Sequence, residues 1–123
     1  MEDGIEKILL PLDEFERLLG EELSLAGEFE LPLTVVVVRR EGGWGEDSVR
    51  LALEVLRRAD LTSLATPRHL ASFLPNTGFE GAKAIEVRMV KALPEASVGF
   101  SSHLPGDGAS EIISRAREDS ESF

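Results

Sequence analysis

Apolar residues recur every three or four positions in four segments of the chain, a spacing that predicts amphipathic helices. These segments are residues 12–25, 47–60, 79–93 and 110–116. Asp47 or Ser48 is the expected N-cap of the second helix, and Ser110 is that of the fourth. The second helix is expected to end with Arg57 and Asp60. The third helix has the most regular pattern.

Shorter apolar runs with the residue types of β-strands lie between these segments. They are residues 33–38, 61–65, 70–74 and 96–103. The first run is almost entirely valine and leucine, which predicts a central strand buried on both faces. The second and third runs flank a short tip at residues 66–69 and predict a β-hairpin. Gly99, inside the last run, indicates close packing or a bulge.

The resulting order, α-β-α-β-β-α-β-α, predicts an α/β (α+β) fold. In it a mixed central sheet is covered by helices, and the hairpin is inserted into the sheet. A chain of 123 residues with 42% hydrophobic residues is large enough for one core and too small for two. We therefore expect a single domain over residues 1–123, with flexible ends at residues 1–11 and 118–123.

Composition and charge exclude several classes of protein. The chain has no cysteine, which rules out disulfides, thiolate metal sites and cysteine nucleophiles. It also lacks an apolar run long enough to span a membrane and a basic N-terminal signal, so we expect a cytoplasmic protein with no membrane partner. The net charge of −10 disfavours nucleic acid.

One segment departs from this acidic character. Residues 57–69 contain three arginines and one aspartate, a local positive potential that suits a small anionic ligand. The remaining acidic surface has a simpler explanation, because like-charged faces keep a protein soluble.

The order of motifs in residues 57–77 resembles that of the GGDEF family, the bacterial diguanylate cyclase domains. In that family an Arg-x-x-Asp is followed after five residues by Gly-Gly-(Asp/Glu)-Glu-Phe, and then by a strand ending in Leu-Pro-(Asn/Asp)-Thr. Here Arg57 and Asp60 form the first motif, and residues 74–77 are Leu-Pro-Asn-Thr. The resemblance extends over residues 12–116 and implies a ferredoxin-like core of the nucleotidyl-cyclase type. The five signature positions hold Thr66, Pro67, Arg68, His69 and Leu70.

These replacements predict that the catalytic chemistry is lost. Joining two GTP molecules requires a divalent metal held by carboxylates and a loop whose backbone approaches phosphate. In the family a metal-binding Asp follows the first buried strand, where this chain has Arg39 and Arg40. Pro67 has a fixed φ and no N–H to donate. We therefore expect no catalytic residue, no metal and no cofactor.

The remaining chemistry-bearing residues have simpler explanations. His69 and His103 are the only histidines, no Gly-x-Ser-x-Gly elbow accompanies them, and a histidine on a loop is expected at the surface. Residues 41–46 replace a family helix that helps to seat guanine. Trp44 in this segment is expected to cover the core that the missing helix exposes, and the alternative is an exposed contact anchor.

In many GGDEF domains the Arg-x-x-Asp motif is half of an inhibitory site for the product, cyclic di-GMP. The resemblance implies that Arg57 donates to the Hoogsteen edge of a guanine while Asp60 accepts from its Watson–Crick edge. The family's site includes another arginine, eighteen residues after the signature, which is Arg88 here. Arg58 and Arg68 are expected to add phosphate contacts. The predicted function is an inactive GGDEF-like receptor for cyclic di-GMP, and the ligand can bridge two copies into a homodimer.

Two alternatives stay open. Arg57 and Asp60 can form an ordinary surface ion pair on a helix, since residues three positions apart are neighbours there. Such a pair stabilises the fold by only about a few tenths of a kcal/mol. Against this, the helix dipole disfavours an aspartate at a helix C-terminus, so helix stability does not explain Asp60. The chain can also be a ligand-free interaction or scaffold domain of the same fold, whose partner is another signalling protein or a further domain.

Overall fold

The computed structural model describes residues 9–57 and 59–121. Within these ranges helices and strands alternate as the apolar pattern predicts, and the α+β fold class is confirmed. The elements are β1 (Leu9–Leu10), α1 (Leu12–Phe29), β2 (Leu33–Arg39), α2 (Glu46–Val55), β3 (Leu61–Thr66), β4 (His69–Pro75), α3 (Phe79–Ala92), β5 (Ser97–Ser102) and α4 (Ala109–Ser120).

The sheet has the strand order β1-β3-β4-β2-β5. Strands β3 and β4 form the predicted antiparallel hairpin, and β2 pairs antiparallel with both β4 and β5. The four valines of β2 alternate between the two faces of the sheet and are all buried, because helices cover both faces. The prediction of a central strand buried on both sides is confirmed.

Two hydrophobic clusters lie on opposite faces of the sheet. Helices α1 and α4 cover one face, where Phe15 packs against Phe73 with ring centroids 5.4 Å apart. Helices α2 and α3 cover the other face, where Ile85 and Met89 pack on Leu74. None of the described helices is long and apolar enough to span a membrane.

Parts of the ends that were expected to be flexible have regular secondary structure. Leu9 and Leu10 form a short strand parallel to β3, which no periodic pattern could indicate because it contains two residues. Residues 118–120 belong to α4, whose C-terminal end packs on β5. The rest of the predicted ends, residues 1–8 and 122–123, lies outside the described residues.

The boundaries of α1 and α2 also differ from the prediction. Helix α1 continues through Gly27 to Phe29 and ends at Glu30, which adopts a left-handed conformation with φ 54°. Helix α2 begins after Gly45 rather than at Asp47 or Ser48, and the Ser48 hydroxyl accepts the Gly45 N–H at 2.9 Å. The prediction that α2 extends to residue 60 is wrong, because it ends at Val55.

Gly99 is a point of close packing, as its position in the strand predicts. A Cβ built on it would lie 2.1 Å from the Ser120 nitrogen and 2.6 Å from the Ala116 oxygen. Next to it, the Phe100 N–H donates to Asp119 Oδ2 at 3.0 Å. Helix α4 therefore lies directly against the backbone of β5.

Candidate functional site

The Arg57–Asp60 pair lies in the turn between α2 and β3. The Asp60 carboxylate accepts three hydrogen bonds from Arg57, from the backbone N at 2.8 Å, from Nε at 3.2 Å and from Nη2 at 3.0 Å. Nη2 also donates to the Thr77 hydroxyl at 2.6 Å. The side chain of Asp60 is 0% exposed, whereas that of Arg57 is 44% exposed.

This geometry changes the role predicted for Asp60. Because α2 ends at Val55, Asp60 is not at a helix C-terminus, and the argument from the helix dipole does not apply. Its carboxylate faces inward and has no surface to offer the edge of a guanine. The aspartate holds the guanidinium of Arg57 in place, and Arg57 is the member of the pair that faces solvent.

Thr77 is a site residue that the sequence analysis missed. It is buried, accepts a hydrogen bond from Arg57, and donates from its hydroxyl to the Pro75 carbonyl oxygen at 2.8 Å. The only feature of the sequence that could have identified it is its place at the end of the Leu-Pro-Asn-Thr motif. The threonine links the turn before β3 to the end of β4, so the Arg57 side chain is fixed from two elements.

The other predicted ligand residues are distributed unevenly. Arg88 lies exposed on α3, which packs beside α2 on the same face of the sheet, and it has no hydrogen-bond or ion-pair partner among the described residues. Arg58 lies outside the described residues. Arg68 lies at the far end of β3, roughly 20 Å from Asp60 at about 3.3 Å per residue. The structure therefore does not bring Arg68 to the guanine edge that Arg57 could bind.

The five signature positions form the tip of the hairpin. Thr66 closes the turn, because its hydroxyl accepts the N–H groups of Arg68 and His69, each at 3.1 Å. Leu70 is buried in the core beneath α2 and α3. Pro67 and Arg68 make the turn itself, whereas the two glycines of the family's signature correspond to Thr66 and Pro67.

His69 is buried, with 5% of its surface exposed, so the expectation of a surface histidine is wrong. Its Nδ1 lies 2.7 Å from the Thr66 hydroxyl, and its Nε2 lies 2.7 Å from Glu121 Oε2 at the end of α4. Glu121 falls in the segment expected to be flexible, and no local pattern indicated this contact. The tip of the hairpin is thus joined to the C-terminal end of α4.

Two arginines lie at the end of β2, at the positions that the sequence resemblance compares with a metal-binding aspartate. Arg39 forms an ion pair with Glu41, and Arg40 Nε donates to Glu95 Oε2 at 2.7 Å. The pKa of Glu95 is lowered, first by a backbone hydrogen bond of its own and then by the hydrogen bond from Arg40. Among the described residues, no group of three or more His, Cys, Asp or Glu could hold a metal ion.

Trp44 folds down onto the hairpin, as expected, and is not an exposed anchor. Its Nε1 donates to the carbonyl oxygens of Val38 and Arg68, at 3.3 and 3.1 Å, and its ring packs against the core under α2 and α3. The Arg40 guanidinium lies 5.6 Å from the ring centroid, within the range of a cation–π contact. Through Trp44, the glycine-rich segment therefore covers part of the core under α2 and α3.

No protein-family model matches the chain, and no curated protein matches it significantly by sequence. Solved structures match it closely in fold. The GGDEF domain of DgcB from Caulobacter crescentus, in complex with c-di-GMP, has a TM-score of 0.78 and 15% identity over 97% of this chain and 86% of that chain.

Two other structures give the same result. The diguanylate cyclase SiaD of Pseudomonas aeruginosa, in complex with its activator SiaC, has a TM-score of 0.81 and 18% identity over 98% of this chain and 56% of that chain. A DGC protein from Thermotoga maritima has a TM-score of 0.75 and 21% identity over 95% of this chain and 98% of that one. The chain therefore has the fold of the GGDEF domain, with a mixed sheet of the nucleotidyl-cyclase type.

Proposed function

We propose that this chain is a non-catalytic GGDEF-like domain that acts as a receptor in cyclic di-GMP signalling, with Arg57 as the main ligand-binding residue. The observation that supports this most directly is the fixed, half-exposed guanidinium of Arg57. Asp60 and Thr77 hold Nε and Nη2 from below, while Nη1 has no hydrogen-bond partner among the described residues. A pre-positioned guanidinium loses little conformational freedom when a ligand binds.

The chemistry of this surface suits a guanine nucleotide. The two N–H groups of Arg57 Nη1 can donate to the O6 or N7 acceptor of guanine, and equally well to a phosphate oxygen. Arg88, on the neighbouring helix, supplies a second exposed cation for a ligand that carries two phosphates. In this proposal Asp60 is a positioning residue, because its buried carboxylate reaches the ligand only through Arg57.

The expected result in calorimetry is micromolar binding of cyclic di-GMP by the unaltered chain. We expect Arg88→Ala to weaken the affinity by about tenfold or more, because it removes a positive charge. We expect Arg57→Lys to weaken it by a similar factor, because it removes the planar guanidinium. Lysine is preferred to alanine at position 57 because it leaves Asp60 with a charged partner. Arg50→Ala is the matched control, since Arg50 lies exposed on α2 and pairs with Asp47 within its own helix. Absence of heat at high micromolar ligand would overturn the receptor proposal.

We also expect no cyclic dinucleotide when the chain is incubated with GTP and Mg²⁺. The supporting observation is the set of residues at the tip and at the end of β2, where Arg39, Arg40 and Arg68 cannot ligate a metal ion and engage the nearby carboxylates in ion pairs. Chromatography of the reaction mixture measures the product, and an active diguanylate cyclase run in parallel serves as the positive control. Formation of product would show that the arginines do not exclude the metal.

A further inference from the structure

An open groove lies at the end of the sheet opposite the hairpin tip. It has a volume of about 900 Å³ and runs between the C-terminal half of α1 and the loop that joins β5 to α4. Its lining includes Leu23, Leu31 and Pro105, and small residues keep it open. A Cβ added at Gly20 or Gly106 would meet no atom within 4 Å. Apolar side chains of another molecule could therefore enter the groove without displacing any group of this chain.

The rim of the groove carries two glutamates, and their positions lower the free energy of unfolding. Glu28 lies in the last turn of α1, which has no basic residue, and Glu30 follows directly after it. Both place negative charge at the negative end of the helix dipole, which costs stability. Glu30 also has φ 54°, a conformation that glycine adopts far more easily at the end of a helix.

These two charges are unneutralised within the described residues. Neither the Glu28 nor the Glu30 side chain has a hydrogen-bond or ion-pair partner there. The third acid of the rim, Asp107, differs because Arg115 donates two hydrogen bonds to it, at 2.8 and 2.7 Å, and these lower the pKa of Asp107. Residues that break local rules of stability in a native fold commonly serve binding.

We propose that this groove docks a basic, amphipathic segment of a partner protein. Its apolar side chains would pack on Leu31 and Pro105, which are both exposed, and its lysines or arginines would pair with Glu28 and Glu30. Charge complementarity identifies this occupant, since the two glutamates and the end of the α1 dipole attract cations, and the net charge of −10 steers basic segments toward the chain. The same field repels nucleic acids and anionic membranes. The groove lies on the face covered by α1 and α4, whereas Arg57 follows α2 on the other face. The two are joined through Thr77, which accepts a hydrogen bond from Arg57 and donates its backbone N–H to the Pro32 oxygen at 3.1 Å.

A titration followed by ¹⁵N NMR tests the groove. The probe is a short amphipathic peptide of leucine and lysine, and the control peptide has glutamate in place of every lysine. We expect the lysine peptide to shift the amide signals of Gly20, Gly27, Gly106 and Gly108 in a saturable way, while the glutamate peptide does not. Shifts spread over all acidic surfaces of the protein would overturn the proposal, because they would indicate unspecific attraction.

Three variants separate the groove from the net charge. Glu30→Lys and Glu54→Lys change the charge equally, but Glu54 lies exposed on α2, on the other face of the sheet. We expect Glu30→Lys to weaken binding of the lysine peptide by about tenfold, and Glu54→Lys to change it by about twofold or less. Glu30→Gly should raise the melting temperature and still weaken binding, since glycine relieves the left-handed conformation. Equal affinities of the two lysine variants would contradict the proposal.

Discussion

Replacing Gly99 with alanine is expected to lower the free energy of unfolding by about 3 kcal/mol, at the upper end of the usual cost of overpacking. The new Cβ would lie 2.1 Å from the backbone nitrogen of Ser120 and 2.6 Å from the carbonyl oxygen of Ala116. Backbone atoms cannot rotate away as a side chain can. Helix α4 would have to move off β5, and this would open the core beneath Ile112 and Ala116.

The matched control is the same substitution at Gly20. Gly20 lies in the interior of α1, and a Cβ there meets no atom within 4 Å. Alanine has the higher helix propensity, so Gly20→Ala should raise the free energy of unfolding by about 0.5–1 kcal/mol. Urea denaturation followed by circular dichroism measures both variants. A Gly99→Ala variant as stable as the unaltered chain would mean that α4 does not rest on β5 as closely as described.

The elements that the sequence predicted well are those that carry their own periodicity. The valines of β2, the paired apolar runs of the hairpin and the regular spacing of α3 each encode a face that must be buried, and each lies where the pattern predicted. Strand β1 has no such signal, because Leu9 and Leu10 are defined only by their pairing with β3. The end of α2 was misplaced for a related reason. Just beyond its end the Arg57 N–H donates to the Asp60 carboxylate instead of continuing the helix, and helical spacing contains no information about that bond.

The candidate site shows the same division. The spacing of Arg57 and Asp60 correctly indicated that the two side chains meet, because three positions suffice for contact in a turn as well as in a helix. It could not indicate which of them faces solvent, since that depends on Thr77, twenty residues further along the chain. His69 is a comparable case. One of its two ring nitrogens contacts Glu121, fifty-two residues away, and the neighbouring sequence contains no information about that contact.

Arg57→Ala is expected to destabilise the fold by about 3 kcal/mol, far more than the loss of an exposed ion pair. The reason is the environment of Asp60, whose side chain is 0% exposed and would keep only the hydrogen bond from the backbone N–H of position 57. Removing one partner of a buried charge leaves the other unpaired, which typically costs about 3–5 kcal/mol. Because the Arg57 guanidinium is half exposed, we expect a loss of stability at the lower end of that range.

The double variant Arg57→Ala/Asp60→Asn distinguishes this explanation from a general loss of packing. Asparagine is neutral, and its carbonyl oxygen can still accept the backbone N–H of position 57. The double variant should therefore regain about 1–2 kcal/mol relative to Arg57→Ala alone, so the effects of the two substitutions should not add, as is usual for contacting residues. Denaturation of the four proteins of this cycle at neutral pH provides the measurement. If Arg57→Ala alone lies within about 0.5 kcal/mol of the unaltered chain, Asp60 reaches solvent without its partner. Its carboxylate would then be able to contact guanine directly, and the positioning role assigned to it would be wrong.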